Sequence, residues 1–404
     1  MRRTSGDGSL YKRKDGMWIG SVELPSLDGR RRRKTVSSPD RNTAIEKLRK
    51  LRRDVEEGKV AVTGKTTVAQ WLDRWMTDIH GPTIRPTTKV SYQACIRLYI
   101  NPAIGAKRLE KLTPQDIRDM HKHAAKTSQR AAQKSHVIIQ RALRDAVNEG
   151  MVFRNVAEVV HKPRAVAKQR EPLTADQAKH LLRTSIDNND PWATRWAAAL
   201  LLGARQGELL GLQWARVDLE RGLIDLSWQA QQLQQSHGCG APVDGKYPCG
   251  RVRVGYCPQR HWDLPPGFEY QILHRSIALT RPKTKAGFRL VPLPDPLWEM
   301  LRRHDYGQVN PHDLVWHHDD GRPVGPREDY GNWKLALSQS GLPDAPLHVA
   351  RHTTATLLLE AGVSEQVRMQ ILGHTSVQVT RAYAHVDQAI AREAMRSLGR
   401  LLEQ

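Results

Sequence analysis

Long apolar runs are missing from this 404-residue chain, and none approaches the roughly 20 residues that a bilayer-spanning helix needs. The basic start Met1-Arg2-Arg3 passes into Thr-Ser-Gly-Asp-Gly rather than an apolar core, so no signal peptide is expected. Cysteine is scarce, four in all, with no Cys-x-x-Cys pair, and the expected compartment is a cytosol that keeps those thiols reduced. Acidic residues are outnumbered, 42 against 63 Lys and Arg. The resulting +21 is unusual for an enzyme of small molecules and implies a polyanionic partner, nucleic acid ahead of a membrane surface. There is no phosphate-binding loop, and there are no clustered carboxylates. The length exceeds what one core usually spans, so two or three domains are expected.

What is present concentrates between Leu347 and Val386. His348 and Arg351 stand at i and i+3, which on a helix places both on one face. Thr353 to Ala361 is an apolar stretch of helical character, Gly362 is a C-cap, and Ser364 with Gln366 and Val367 opens another helix. His374 follows a glycine, and Tyr383 comes nine residues later. Guanidinium, imidazole and phenol with no Asp/Glu pair nearby suit an anion, and phosphate first. Alone, each would be structural: a capping His, a surface Arg, a Tyr at a core edge. Their order, His-x-x-Arg, then Leu-Gly-His, then Tyr-x-His, resembles the C-terminal signature of the tyrosine recombinases, the phage-integrase family.

The resemblance extends over nearly the whole chain and implies a mainly α protein with small β-sheets (α+β). Residues 8–36 alternate β-like runs with the turn dipeptides Asp15-Gly16 and Asp28-Gly29, which predicts a three-stranded sheet covered by a helix from Asn42 to about Gly58 with Ile45, Leu48 and Leu51 inward. Its outer face would carry Lys12, Arg13, Lys14, Arg30, Arg31, Arg32, Arg33 and Lys34, and residues 1–62 look like the family's arm-type DNA-binding domain. Residues 65–162 read as four helices: Val68, Trp71, Leu72, Trp75 and Ile79 on one; a Thr-capped helix after Arg85-Pro86; a break at Asn101-Pro102; a start at Thr113-Pro114; and Ser128 to Asn148 with Val137, Ile138, Leu143 and Val147 inward. This resembles the family's core-binding domain, with Arg85, Thr88, Lys89, Arg130, Lys134 and Arg141 as expected DNA contacts. Basic helix faces are equally common on any surface. A basic linker, 163–170, precedes a catalytic domain, 171–404, whose first helix is capped by Thr174.

In that domain a buried helix with Trp196 to Leu202 runs into Gly-Ala-Arg-Gln-Gly-Glu-Leu-Leu, similar to the family's first arginine motif, which makes Arg205 catalytic and Glu208 its acidic support. Arg-Pro-Lys-Thr-Lys-Ala-Gly-Phe-Arg-Leu-Val-Pro reads as a β-hairpin; the resemblance puts a catalytic lysine at its tip, on Lys285, with Lys283 the alternative. Arg205 and Arg351 would clamp the non-bridging oxygens, Tyr383 would attack phosphorus, His348 would take the phenol proton, His374 would hydrogen-bond the phosphate and Lys285 would protonate the leaving 5′ oxygen. In the family this yields a 3′-phosphotyrosyl link without ATP or metal, on paired DNA sites held by a homotetramer, aided by DNA-bending proteins or an excision factor, in the bacterial cytoplasm. The C-terminal helix, Asp387 to Leu402 with Ile390, Met395, Leu398 and Leu401, fits either exchange with a neighbour or its own core. A type IB topoisomerase and a non-catalytic DNA-binding regulator are the alternatives. One segment falls outside the family pattern: an insertion at about 229–275 with Cys239, Cys249 and Cys257, each before a turn-forming residue, and His237 and His261 close by. A structural zinc on the three cysteines and a histidine, His237 first, is one reading; free thiols in a flexible loop is the other.

Overall fold

A computed structural model describes residues 9–24, 32–56, 66–165, 171–282, 288–304, 309–373 and 388–403, in two units that divide between Ala167 and Lys168. In the first, β1 (Ser9–Lys12), β2 (Trp18–Leu24) and β3 (Arg32–Ser38) form an antiparallel sheet in that order, and α1 (Arg41–Glu56) packs on β2 and β3. Gly16 takes φ +86° in the first turn, where Asp15 Oδ1 accepts the Met17 N–H at 3.2 Å. A Cβ on Gly20 would lie 3.0 Å from Leu48 Cδ1, so the helix sits close over the sheet at that point.

The expected single basic face is corrected by the register. Val22 pairs with Lys34 and Glu23 with Arg33. Because strand side chains alternate, Lys34 lies on the face of Gly20 that α1 covers and Arg33 on the opposite one. Lys12, paired with Trp18, shares the side of Lys34, while Arg13 and Lys14 belong to the turn, Arg13 in an ion pair with Asp15. Arg30, Arg31 and the Asp28-Gly29 turn lie outside the described residues.

The helical part of this unit follows its caps. Thr67 and Gln70 form a capping box for α2 (Val68–Arg74), which continues as a π turn, Trp75–Ile79. Val68, Trp71, Leu72 and Trp75 are wholly buried, as their spacing requires. Buried indoles need partners, and Trp71 donates to Ala142 O at 2.9 Å, Trp75 to Asp145 at 2.6 Å. The next helix, α3 (Pro86–Cys95), is capped by Arg85 and not by a threonine, because Pro86 takes the first helical position, where no N–H is needed. It passes through a π turn, Ile96–Ile100, into α4 (Asn101–Ile104). The Asn-Pro segment expected to break the chain thus adds a turn, Pro102 being tolerated within its first residues. Thr113 with Asp116 caps α5 (Pro114–Ala125), and Ser128 caps α6 (Gln129–Asn148). Val137 is 41% exposed, and Ile139 takes the inward place expected of it.

His121 Nε2 and His136 Nδ1 meet at 3.1 Å between α5 and α6. Burial, then the neighbouring ring, brings His121 down to about 4. Burial, with Lys162 adding, lowers His136 as well. Unfolded, both titrate near ~6.5. Between that value and about 4 the unfolded chain binds more protons than the folded one, so stability falls as pH drops through the window and levels off below it. The melting temperature of the full chain is expected to fall across this range, and His121→Gln to flatten the slope. Parallel curves for wild type and variant would refute the assignment.

In the second unit α7 (Ala175–Asp187), capped by Thr174 with Gln177, leads to α8 (Ala193–Leu202), buried along all but Thr194. A helix apolar all round needs cover on every side. With α7, that cover comes from α9 (Gln206–Leu210), α10 (Asp295–Arg302), α12 (His348–Glu360) and α14 (Gln388–Glu403); the other elements of the unit are β4 (Val217–Asp218), β5 (Leu223–Asp225), β6 (Gln229–Gln232), β7 (Gln235–Ser236), β8 (His261–Trp262), β9 (Tyr270–His274), β10 (Ile277–Thr280), β11 (Leu290–Pro292), α11 (Pro326–Gln339) and α13 (Glu365–Leu372). The one charge on α8, Arg195, pairs with Asp329 at 3.0 Å, both side chains fully buried.

One expectation is corrected here. The strands on either side of residues 281–289 do not pair with each other: β10 joins β6 and β9, whereas β11 joins β5 and β4. Earlier strands already offer each flank a partner, Leu279 opposite Ala230 and Val291 opposite Ile224. The C-terminal helix docks on its own chain, with Met395 and Leu398 fully buried among α7, α10 and α12, and Ile390 left 55% exposed. No helix among the described residues is long and apolar enough to cross a membrane.

Candidate active site

The site is built where α8 stops. Gly203 ends that helix in the left-handed region, φ +56°, and a Cβ there would meet Leu372 Cδ2 at 2.6 Å and the Thr354 side chain at 3.0 Å. Only glycine allows α12 and α13 to close on this turn. Arg351 Nη1 donates to Gly203 O at 2.8 Å, and Thr354 Oγ1 to Leu200 O at 2.8 Å, so α12 is held against the end of α8. Two residues on, Arg205 opens α9 in an extended conformation, its N–H donating to Glu208 Oε2 at 2.8 Å.

Glu208 organises what surrounds it. Its carboxylate accepts Arg205 Nη1 at 2.7 Å and Arg289 Nη1 and Nη2 at 3.2 and 2.9 Å. The two guanidiniums also reach the last carbonyls around α13, Arg289 Nε to Ile371 O at 2.8 Å and Arg205 Nη2 to Gly373 O at 3.0 Å. Cations at a helix C-terminus oppose the dipole's negative end. Glu208 and Arg289 are almost wholly buried, whereas Arg205 keeps 41% of its side chain exposed. Burial alone would raise the Glu208 carboxyl; the hydrogen bonds and charges of Arg289 and Arg205 outweigh it and hold the group below its ordinary range.

Arg351 lacks such compensation. Burial first, then repulsion from Arg205 and Arg289, brings it down to about 10, with Glu208 opposing the shift. Its Nη2 is buried with no hydrogen-bond partner among the described residues. Three guanidiniums thus share one carboxylate, an excess of positive charge in a cradle open on the Arg205 side. His348, exposed and edge-to-face with His352 at 4.8 Å, lines a cavity of about 270 Å³ together with Arg351, Arg195 and Gln206. Gln206 also donates to Asp329 at 2.9 Å, which ties the cradle to the buried Arg195 pair. A tetrahedral anion with non-bridging oxygens is what such an arrangement binds.

Of the expected catalytic residues, Arg205, Glu208, His348 and Arg351 are brought together. Lys283, Lys285, His374 and Tyr383 lie outside the described residues. Arg289 was missed as a site residue, although a signal existed: it stands two positions before buried Pro-flanked strand residues and on the inward side with Val291, where a charge needs a buried acid. Among expected DNA contacts, Arg33, Lys34, Arg130 and Arg141 are exposed, as are Lys12, Arg13 and Lys14, and the side chain of Arg32 is not among those described. Arg85, Thr88 and Lys89 are half-buried, and Lys134 is bonded to Ser91 and set over Tyr92. His237, Cys239, Cys249 and Cys257 converge, whereas His261 stays outside that cluster.

Known proteins match both units. The phage integrase family model covers residues 270–389, and the model of the phage integrase N-terminal SAM-like domain covers 67–124. An integrase of Saccharopolyspora erythraea is 28% identical over 97% of this chain and 96% of its own length. A putative prophage phiRv2 integrase of Mycobacterium tuberculosis is 24% identical over 79% of this chain and 75% of its own. Among solved structures, the fold matches a lambda integrase tetramer bound to a Holliday junction (TM-score 0.54, 16% identity, 96% of this chain and all of that one). It also matches the Tn1549 transposon integrase in complex with a circular intermediate DNA (TM-score 0.59, 18% identity, 82% of this chain and 99% of that one). The cradle and these matches define the class, a mainly α protein with small antiparallel sheets of the lambda-integrase type. The chain carries domains matched by models of the phage integrase family, and the relatives it matches over most of its length are named integrases and tyrosine recombinases.

Proposed function

We propose that this protein is a site-specific DNA recombinase that cleaves and rejoins DNA strands through a 3′-phosphotyrosyl intermediate, integrating or excising a phage or other mobile element. The observation that carries the reading is the shared cradle of Arg205 and Arg351, the second with a buried Nη2 that has no partner among the described residues. Two planar guanidiniums that stay charged at neutral pH hold the non-bridging oxygens as negative charge grows on them. The Tyr383 oxygen attacks phosphorus, the P–O5′ bond breaks, the phenol proton passes to His348 and Lys285 gives a proton to the departing 5′ oxygen. His374 hydrogen-bonds the phosphate. One phosphate ester replaces another, so the 5′ hydroxyl of a second strand reverses the step without an external energy source.

The partner is double-stranded DNA at attachment sites, in the cytoplasm of a bacterial host, engaged by a homotetramer with DNA-bending or excision factors in support. The charge of +21 suits that polyanion. The test is incubation of the full chain with a nicked substrate whose cut releases a short fragment and prevents religation. The expected product is a covalent protein–DNA adduct whose linked peptide contains Tyr383. A link at any other residue, or none on DNA from the element's ends, overturns the reading; relaxation of supercoiled DNA lacking such ends would favour a topoisomerase.

A further inference from the structure

From Gln234 to Glu269 the chain has almost no core. Its regular structure is the two-residue pair of β7 with β8 and one 3₁₀ turn, Val254–Tyr256, and Cys257 is its only buried residue. Apolar burial cannot order a segment of this kind, and small folds without a core depend on a covalent or metal staple. One feature draws the segment together. His237, Cys239, Cys249 and Cys257 place their ligand atoms within 4.8 Å of one another.

We infer that these four residues form a structural zinc site that folds the insertion. Zinc with sulfurs at ~2.3 Å and an imidazole nitrogen at ~2.0–2.1 Å gives a tetrahedron whose ligand–ligand edges are roughly 3.5–3.8 Å. His237 Nδ1 stands 3.5 Å from Cys249 Sγ and 3.8 Å from Cys239 Sγ, which are those edges. All three thiols are free, and an odd number of cysteines cannot pair off as disulfides. The local backbone is shaped for the cluster. Gly240 and Gly250 turn the chain directly after Cys239 and Cys249 with φ +113° and +67°, and Gly238, between two ligands, leaves no room for a Cβ, which would lie 2.0 Å from Gln259 O. Tyr247 stacks on His237 at 3.6 Å and 8°, fixing the imidazole plane. Three thiolates and one neutral imidazole, with no open position, define a closed site and not a catalytic one.

The site's consequence reaches the cradle through β6. A Cβ on Gly207 would lie 2.7 Å from Ala230 O, and one on Gly211 2.4 Å from Ala230 N, so the strand at the insertion's root lies directly on α9, which Arg205 opens. The inference does not depend on the recombinase reading.

Elemental analysis of the full chain, purified without chelator, is expected to give one zinc per chain. Cobalt(II) exchange should produce sulfur-to-cobalt charge transfer and the intense visible bands of tetrahedral coordination. Cys249→Ser and Cys257→Ser should each lose the metal, while Cys95→Ser and His261→Ala keep it. Chelation should expose residues 234–269 to protease and spare the rest of the second unit. A wild-type protein that takes up no zinc when the reduced chain is titrated with it, or Cys249→Ser retaining a full equivalent, overturns the inference. Should the serine variants fail to fold, the wild-type stoichiometry and cobalt spectrum decide.

Discussion

Glu208→Gln is expected to slow DNA cleavage by about 10²–10³-fold and to cost about 3 kcal/mol of stability, at the lower end for one partner removed from a buried ion pair. The two losses have separate origins. Glutamine keeps one acceptor oxygen but turns an N–H₂ toward guanidinium N–H groups, donor against donor. Arg289, nearly excluded from water, then holds a buried charge supported, among the described residues, by the Ile371 carbonyl and at most the one amide oxygen. Arg205, 41% exposed, regains water and loses little stability, but its direction is no longer set. A second change separates them: adding Arg289→Met removes the stranded charge, so Glu208→Gln with Arg289→Met should recover most of the stability and little of the cleavage. Urea titration and single-turnover adduct formation measure the two. If the double variant regains cleavage, Glu208 acts through stability alone. The sign with pH follows from the lowered carboxyl: the stabilisation is present above the ordinary glutamate range and is lost as pH falls through the depressed value.

How much of this was legible in the sequence depends on the distance over which each residue is determined. His348 and Arg351 share a helix turn, and Arg205 and Glu208 a helix start, so within each pair the relation is a local one. Arg289 is set by a carboxylate 81 positions away and a carbonyl 82 away, which no local pattern encodes. The same limit applies to the strands on either side of residues 281–289. They look like a hairpin in isolation, but β5 and β6 had already claimed them. In the small sheet the basic run was visible and its division between faces was not, because the two-residue period assigns faces only once the register with β2 is known. Val137 and Ile139 show the cost of one step on a helix: both are apolar, two positions apart, and only one faces Trp71 and its neighbours. The cysteines were the reverse case. Their spacing looked irregular because β7, β8 and the glycine turns, not the sequence intervals, bring the sulfurs together.

Arg351→Lys is expected to cut cleavage by about 10²–10³-fold near neutral pH, and the size of that loss should depend on pH. Arg351 sits 4% exposed between two other guanidiniums, an environment that lowers even an arginine to about 10. Lysine starts near ~10.4 and responds to burial and like charge by deprotonating. In this position it would be neutral over part of the assay range and regain its charge as pH falls. Geometry adds to the loss: one nitrogen cannot both reach Gly203 O, as Nη1 does at 2.8 Å, and offer the second donor that Nη2 holds for a phosphate oxygen. The ratio of the wild-type rate to that of the Arg351→Lys variant should therefore shrink steadily from about pH 9 to about pH 6 while DNA binding changes little, because other cations dominate affinity. A ratio independent of pH would show that shape, not charge, is what the buried guanidinium contributes. That outcome would still require the unpartnered Nη2 to face a bound oxygen, since a buried charged donor without one is costly at every pH.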